Sequence, residues 1–333
     1  MRSKDRAPLT ARVLCAAPLA MALALGAALP ARAAEPVQVV ATTGMIGDLA
    51  AEVAGGCAEV TVMMGPGVDP HLYKPSAGDV RRLAGADAIL YSGLYLEGQL
   101  GEVLDRLSGR VVTVAVAERA VPEAERILTG EGYGVDPHVW MDPSLWSRVP
   151  GVIAEALAPL APDCAADMAA RAEDAARAVT ALDGWVRESL ASVPEGARLL
   201  VTAHDAFEYF GRAYDVEVVG IQGVSTESEA GIADIRAVVD LVVSRKVPAL
   251  FVESTISPRT VEAVIEAARR EGHEVTVGAE LYADAMGGAG TGEGTYIGMI
   301  HANVRAIVGA LGGTPAPLPE ALGAWAVRWG VAG

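Results

Sequence analysis

The chain has 333 residues, 52% of them hydrophobic and 20% charged, with 42 Asp+Glu against 26 Lys+Arg and a formal net charge of −16. That acid excess excludes nucleic-acid and anionic-membrane binding as the main role, since both need basic patches. The length is more than one core comfortably fills, so two lobes are expected.

The first 33 residues read as an export signal. Arg2, Lys4, Arg6 and Arg12 form a basic start, Val13 to Leu29 is uncharged and Ala-rich, and Ala31-Arg32-Ala33 offers the small residues of a cleavage site. The apolar run is shorter than the ~20 residues of a spanning helix. Cys15 does not fit a lipid attachment site, because Leu14 precedes it where a small residue is needed. The mature chain is expected to begin near Ala34, in the periplasm. Removing five basic residues and one acidic residue from the totals of 26 and 42 leaves 21 against 41, a net charge of −20. No later segment is long and apolar enough for stable membrane insertion.

Beyond the signal, β-branched runs alternate with Ala-rich helical stretches. Strands are predicted at Val37–Thr43, Glu59–Met64, Ala86–Ser92 and Val111–Ala117, with helices such as Ile46–Ala54 and Asp79–Ala84 between them. From Asp163 to Ala191 there is no proline. Met168, Ala172, Ala176, Val179, Leu182, Val186 and Leu190 make one apolar stripe, bounded by Pro162 and Pro194. At ~1.5 Å per residue this helix is about 43 Å long, a stiff connector. Further strands follow at Arg198–Ala203, Glu217–Gly220, Ala249–Ser254 and Glu274–Gly278, with helices at Gly231–Ser244 and Arg259–Arg270. Apolar strands alternating with helices mark parallel sheets covered on both faces. The expected fold is α/β: lobes at residues 34–162 and 194–333, each with a parallel four-stranded sheet, joined by the backbone helix at 163–193. In such lobes ligand sites lie at the carboxyl ends of the strands.

Two cysteines remain after processing, Cys57 and Cys164. An oxidising compartment permits a bridge between them, and the sequence leaves bridged and free thiols equally open.

Four polar residues stand at strand ends or in Gly/Pro/Asp-rich loops. His71 ends Gly65-Pro66-Gly67-Val68-Asp69-Pro70-His71, His138 lies in Asp136-Pro137-His138-Val139-Trp140, His204 follows Leu199-Leu200-Val201-Thr202-Ala203, and Asp284 follows Glu280-Leu281-Tyr282-Ala283. Three imidazoles and a carboxylate make a good shell for a divalent transition metal. Their spacings of 67, 66 and 80 residues require the fold to gather them from both halves. The plain alternatives are solvated loop histidines and a helix N-cap at Asp284. Of the five histidines, His273 reads as an exposed turn and His301 as a packed or solvated helix residue. Asp205 reads as the start of the next helix. Asp142 and Glu253 are the candidates for steadying the imidazoles, or else for capping and solvation.

The same stretches, together with Gly220-Ile221-Gln222-Gly223-Val224-Ser225-Thr226-Glu227-Ser228-Glu229-Ala230, Phe251-Val252-Glu253-Ser254 and Gly292-Glu293-Gly294-Thr295-Tyr296-Ile297-Gly298-Met299, give the chain a specific resemblance to the periplasmic solute-binding proteins of zinc/manganese ABC transporters, the TroA-like family. It covers essentially the whole mature chain. The resemblance implies two α/β lobes on one rigid helix, metal ligands at His71, His138, His204 and Asp284, and Zn²⁺ or Mn²⁺ as transported ligand. It further implies a monomer that feeds an ABC permease with its cytoplasmic ATPase. Manganese-dedicated members tend to carry Glu where this chain has His204, while the long His-rich loop of many zinc-dedicated members is missing from Glu118–Val135. Two rival readings are an exported zinc-dependent hydrolase and an adhesin-like surface protein. The first lacks an H-E-x-x-H or G-x-S-x-G motif.

Overall fold

The computed structural model describes residues 36–130 and 134–331, so the export signal expected at residues 1–33 lies outside the described residues. β1 (Val37–Thr43), β2 (Ala58–Met64), β3 (Ala88–Tyr91) and β4 (Val112–Ala115) form one parallel sheet in the order β2-β1-β3-β4. Val37 pairs with Ala58, Val39 with Ala88, and Ala88 with Val112. The crossovers are α1 (Gly44–Ala54), α2 (Ala77–Ala84) and α3 (Gly101–Leu107), and α4 (Val116–Ala120) follows the last strand. Central β1 is buried without a break from Val39 to Thr43, as a strand covered on both faces should be, whereas edge strand β2 is mostly half-exposed. α2 starts where Ser76 and Asp79 cap one another reciprocally: Asp79 N–H donates to Ser76 Oγ at 3.2 Å and Ser76 N–H to Asp79 Oδ2 at 2.8 Å.

The short α5 (Pro143–Trp146) and α6 (Val149–Leu157) lead to α7 (Ala165–Ala191), 27 residues long. Its buried stripe runs Met168, Ala172, Ala175, Val179, Leu182, Trp185, Val186 and Leu190, so Ala175 takes the inward place expected of Ala176. α7 does more than connect. It packs against α1, α5, α6 and α11 (Tyr296–Ala310), and its apolar face belongs to one hydrophobic cluster shared by both halves of the chain, from Val39 and Ile46 to Phe207 and Ile300. From Pro36 onward the chain accordingly packs as one compact unit.

In the second half, β5 (Leu199–His204) pairs with β6 (Glu217–Gln222) and β7 (Ala249–Glu253) with β8 (Thr276–Leu281), both in parallel. β5 runs beside β7, but the strands pair two and two where one four-stranded ladder was expected. At the carboxyl end of β5 the Glu253 carboxylate, not a backbone carbonyl, accepts the His204 N–H at 2.9 Å. α8 (Glu208–Tyr214), α9 (Ile232–Arg245) and α10 (Arg259–Arg270) complete this layer, and α12 (Gly323–Trp329) ends the described chain. A second apolar cluster, including Val201, Val242, Leu250 and Val264, fills the space between these strands and α9 and α10. No described helix is long and apolar enough to cross a membrane.

Cys57 and Cys164 are bridged, which joins the exit of α1 to the start of α7 across 107 residues. Beside the bridge, Arg171 on α7 donates to the Val53 and Ala54 carbonyls at 2.7 and 2.8 Å, satisfying the open end of α1. Closing so long a loop restricts the unfolded chain, which is worth about 2–4 kcal/mol. Replacing both cysteines, Cys57→Ser with Cys164→Ser, is therefore expected to lower unfolding free energy in urea by about that amount. An unchanged denaturation midpoint would show that the bridge adds no stability.

Candidate metal centre

The loop after β2 delivers His71. Val68 N–H closes a turn onto the Gly65 carbonyl at 3.2 Å, with Gly67 at φ +73°. Asp69 Oδ1 then accepts the backbone N–H of His71 at 2.8 Å. Behind His71 stands Gly98 at φ +42°, where a Cβ would meet the His71 carbonyl oxygen at 2.8 Å, so only glycine lets the two backbones come this close. The other oxygen of Asp69 accepts from Thr226 Oγ1 at 2.6 Å, tying this loop to one from the second half.

His138 is not at a strand end, as the other placements suggested; it opens a short 3-10 turn over Val139–Met141. Asp136 Oδ1 accepts both its backbone N–H at 2.9 Å and its ring Nδ1–H at 2.7 Å. The Asp136 carbonyl in turn accepts from Tyr209 Oη at 3.1 Å. His204 is the last residue of β5, and Glu253 at the end of β7 grips it twice, Oε1 on the backbone N–H at 2.9 Å and Oε2 on ring Nδ1–H at 2.5 Å. Asp284 follows β8 in a loop held by Asn303, which exchanges two hydrogen bonds with the Tyr282 backbone at 2.9 and 2.7 Å, and by Trp140 Nε1 donating to the Ala283 carbonyl at 2.9 Å. α11 starts only at Tyr296 with Thr295 as its cap, so Asp284 is no helix N-cap.

These four side chains converge. His71 Nε2 lies 3.3 Å from His138 Nε2 and 3.7 Å from Asp284 Oδ2. His138 Nε2 is 3.3 Å from Asp284 Oδ1, and His204 Nε2 is 3.3 Å from Asp284 Oδ2. Each residue offers one ligand atom and all four atoms fall within 4.8 Å of one another, at buried positions. His204 Nε2 and both Asp284 oxygens nevertheless lack a well-aligned hydrogen bond. Buried polar atoms that face a shared point instead of one another are expected where a cation can sit between them.

The electrostatics match. Burial resists ionising Asp284, but the His204 and His138 rings hold its pKa well below the usual carboxylate range. Burial also disfavours charge on His138, yet Asp136 and then Asp284 push it up to about 9. His204 is raised well above its ordinary value against the same burial, by Glu253 and Asp284. His71 has no comparable net gain: burial, then the neighbouring rings, bring it down to about 3 despite Asp284. A dication that displaced the protons of His138 and His204 would leave the cluster's net charge unchanged.

Of the remaining candidates, Glu253 steadies a ring as expected and Asp142 does not. Asp142 Oδ1 accepts from Ser144 N–H and Oγ at 2.9 and 2.6 Å and so caps α5. The second ring-holding carboxylate is Asp136. Its signal was in the sequence: Asp-Pro-His occurs twice, and each aspartate accepts the N–H two residues on. Asp205 does not start α8, which begins at Glu208; burial, then Asp136, raise its pKa to about 6. His273 donates Nε2–H to the Val247 carbonyl at 2.8 Å, and His301 stacks on Trp185 with centroids 5.0 Å apart. Neither joins the cluster.

Fold and cluster together define a class, α/β proteins that can enclose a divalent metal behind a full set of protein groups. The sequence profile of the family described as zinc-uptake complex component A, periplasmic, matches residues 39–310. The chain is 45% identical over 277 residues to the manganese-binding lipoprotein MntA of Bacillus subtilis (strain 168), covering 83% of this chain and 90% of that one. It is 46% identical over 273 residues to the zinc-binding protein TroA of Treponema pallidum (strain Nichols), covering 82% and 88%. The solved structure of the periplasmic zinc-binding protein TroA from Treponema pallidum matches with a TM-score of 0.81 at 45% identity, over 83% of this chain and 99% of that one. The chain belongs to this family of periplasmic metal-uptake components.

A raised imidazole pKa adds stability that is fully present below the unfolded value near 6.5 and is lost as pH rises through the folded value. In chelator-treated protein, ¹⁵N-histidine NMR should show His138 still protonated at pH 7.5 and titrating near 9. The urea midpoint should fall as pH rises from 6.5 through about 9, as His138 loses its proton. A neutral His138 at pH 7.5 would contradict this account of the cluster.

Proposed function

We propose that the chain captures a divalent transition metal, Zn²⁺ or Mn²⁺, on His71, His138, His204 and Asp284 outside the cytoplasm, and delivers it to an ABC permease with its cytoplasmic ATPase. In this reading residues 1–33 are removed on export, and residues 34–162 and 194–333 serve as metal-holding lobes about the helix at 163–193. The mature protein works as a periplasmic monomer. The observation that carries the reading is the convergence of four buried ligand atoms from both halves of the chain within 4.8 Å. A catalytic zinc keeps an open position for water or substrate; four protein groups around one point favour carriage over catalysis.

The metal follows from the donor set. Ligands ~2.0–2.1 Å from a tetrahedral ion stand ~3.3–3.4 Å apart, from the bond lengths typical of zinc sites. Taken over both Asp284 oxygens, three of the separations given above are 3.3 Å and one is 3.7 Å, within a cluster that spreads to 4.8 Å. Three imidazoles and a carboxylate hold Zn²⁺ more tightly than Mn²⁺. Asp284 turns one oxygen to His138 and the other to His204, so it can also bind through both, toward the higher coordination Mn²⁺ accepts. The relatives of this chain, one named for manganese and one for zinc at nearly equal identity, are consistent with a site that takes both ions.

Competition calorimetry on the purified protein should show one tight site that binds both ions and prefers Zn²⁺; Mn²⁺ retained against equimolar Zn²⁺ would refute the preference. His204→Ala and Asp284→Ala should each abolish tight binding. Glu253→Gln keeps all four ligands but loosens one ring, and its metal affinity should fall by about 10–100-fold. Tight binding that survives Asp284→Ala would sink the assignment of the site.

A further inference from the structure

At His71 the structure restrains the backbone from two sides. Asp69 Oδ1 accepts its N–H at 2.8 Å, and Gly98 backs its carbonyl so closely that a Cβ there would meet the oxygen at 2.8 Å. Gly98 ends the loop at 92–98 that follows β3. The backbone of this loop is unusual. Gly93, Leu94, Tyr95 and Gly98 all have positive φ, at 83°, 56°, 64° and 42°, and Leu94 and Tyr95 adopt it side by side although each carries a Cβ. Such conformations persist only where the surroundings over-determine them, and they gather at functional sites. Here the buried carboxylate of Glu97 turns back into its own loop. Its Oε1 accepts from Ser92 N–H at 2.5 Å and from Thr42 Oγ1, on β1, at 2.9 Å, and its Oε2 accepts from Gly93 N–H at 3.2 Å. Leu94 and Leu96 sink into the main core on either side of exposed Tyr95. Burial raises the Glu97 pKa to about 7 against the pull of its three donors.

We propose that Glu97 is a positioning residue for metal binding: it holds the loop at 92–98 as a backstop that fixes the His71 backbone, and so keeps His71 Nε2 at 3.3 Å from His138 Nε2, where one ion can meet both. The three donors on Glu97 belong to Thr42, Ser92 and Gly93, none of them a clustered residue. Its influence therefore runs along the loop to Gly98, and from Gly98 to the His71 carbonyl. Asp136 and Glu253 hold the other two rings directly, so Glu97 acts through His71. Without the carboxylate, the left-handed stretch loses the bonds that compensate its strain, and Gly98 is free to draw back from His71. This inference deepens the metal-capture reading and rests on it.

The test is a double-mutant cycle on zinc affinity, measured in the purified protein by competition with a chelator. Glu97→Gln turns an amide NH₂ toward a backbone N–H, so the loop loses one acceptor. Zinc affinity should then fall by about 10-fold, the lower end for groups that orient a metal-binding side chain. In a His71→Ala background, where affinity is already weakened, Glu97→Gln should cost nothing further. A general loss of stability would cost the same factor in both backgrounds. Thr42→Val removes one bond and leaves the carboxylate; it should give a smaller loss, again absent without His71, and it carries the test if Glu97→Gln does not fold. In ¹⁵N-histidine NMR of the zinc-loaded variants, the ring signals of His71 should move while those of His204 stay. Wild-type zinc affinity in both folded variants, or an equal loss with and without His71, overturns the positioning role and leaves the proposed function intact. Wild-type protein that takes up no zinc overturns both.

Discussion

Asp284 is fully buried, and an isolated carboxylate could not stay ionised there. Its charge is sustained by the His138 and His204 imidazoles at 3.3 Å, whose own charge is sustained by carboxylates behind them, Asp136 at 2.7 Å and Glu253 at 2.5 Å. The rest of the centre depends on this alternation of acid and base. Remove either outer carboxylate and a buried ring loses its tautomer, its orientation and part of its basicity together. Because Asp136 and Glu253 each bind the backbone N–H as well as the ring of the same histidine, the rotamer is fixed by the fold and not only by the ion.

The framework around the cluster is correspondingly stiff. The apolar face of α7 shares one core with α1 and α11, and the Cys57–Cys164 bridge anchors its first turn. Three of the four clustered residues, by contrast, stand on loops, at Asp69–His71, Asp136–His138 and Ala283–Asp284, each fastened by a few named hydrogen bonds. Rearranging such loops costs the energy of those bonds, of order 1 kcal/mol each, whereas separating the two halves would open a shared core. The Asp69–Thr226 bond, which joins loops of both halves beside His71, belongs to the cheaper kind.

Much of this was legible in the sequence because it is local. Each predicted strand overlaps an observed one, since β-branched runs bounded by Gly, Pro or Asp specify strands without tertiary help. The clustered residues were legible because histidine is rare in this chain and three of the five sit beside Pro-braced turns or at a strand end. What failed to show was settled by distance in the chain. Asp136 stands two residues before His138 and Asp142 four after it, and α5 claims Asp142 as its cap. Asp205 looks like a helix start, but Ala206 and Phe207 are drawn into the core first, so α8 begins late. The pairing of the last four strands two and two is a choice of neighbours, which no strand propensity encodes.

The donor set constrains how such a site can discriminate between ions. Three imidazoles and a carboxylate rank first-row dications by intrinsic affinity, and the geometry of the site modifies how that order is expressed. What the protein controls is coordination number and charge. Exchanging two imidazole protons for one dication conserves charge in the buried cluster, whereas a monovalent ion would leave it one unit more negative in a medium that resists it. Within the dications, the freedom lies in Asp284: one oxygen gives four ligands, two give five, and the Asn303 clamp on the Tyr282 backbone limits how far that carboxylate can turn. Selectivity in this chain is therefore a property of the loop that carries Asp284 more than of the identity of His204.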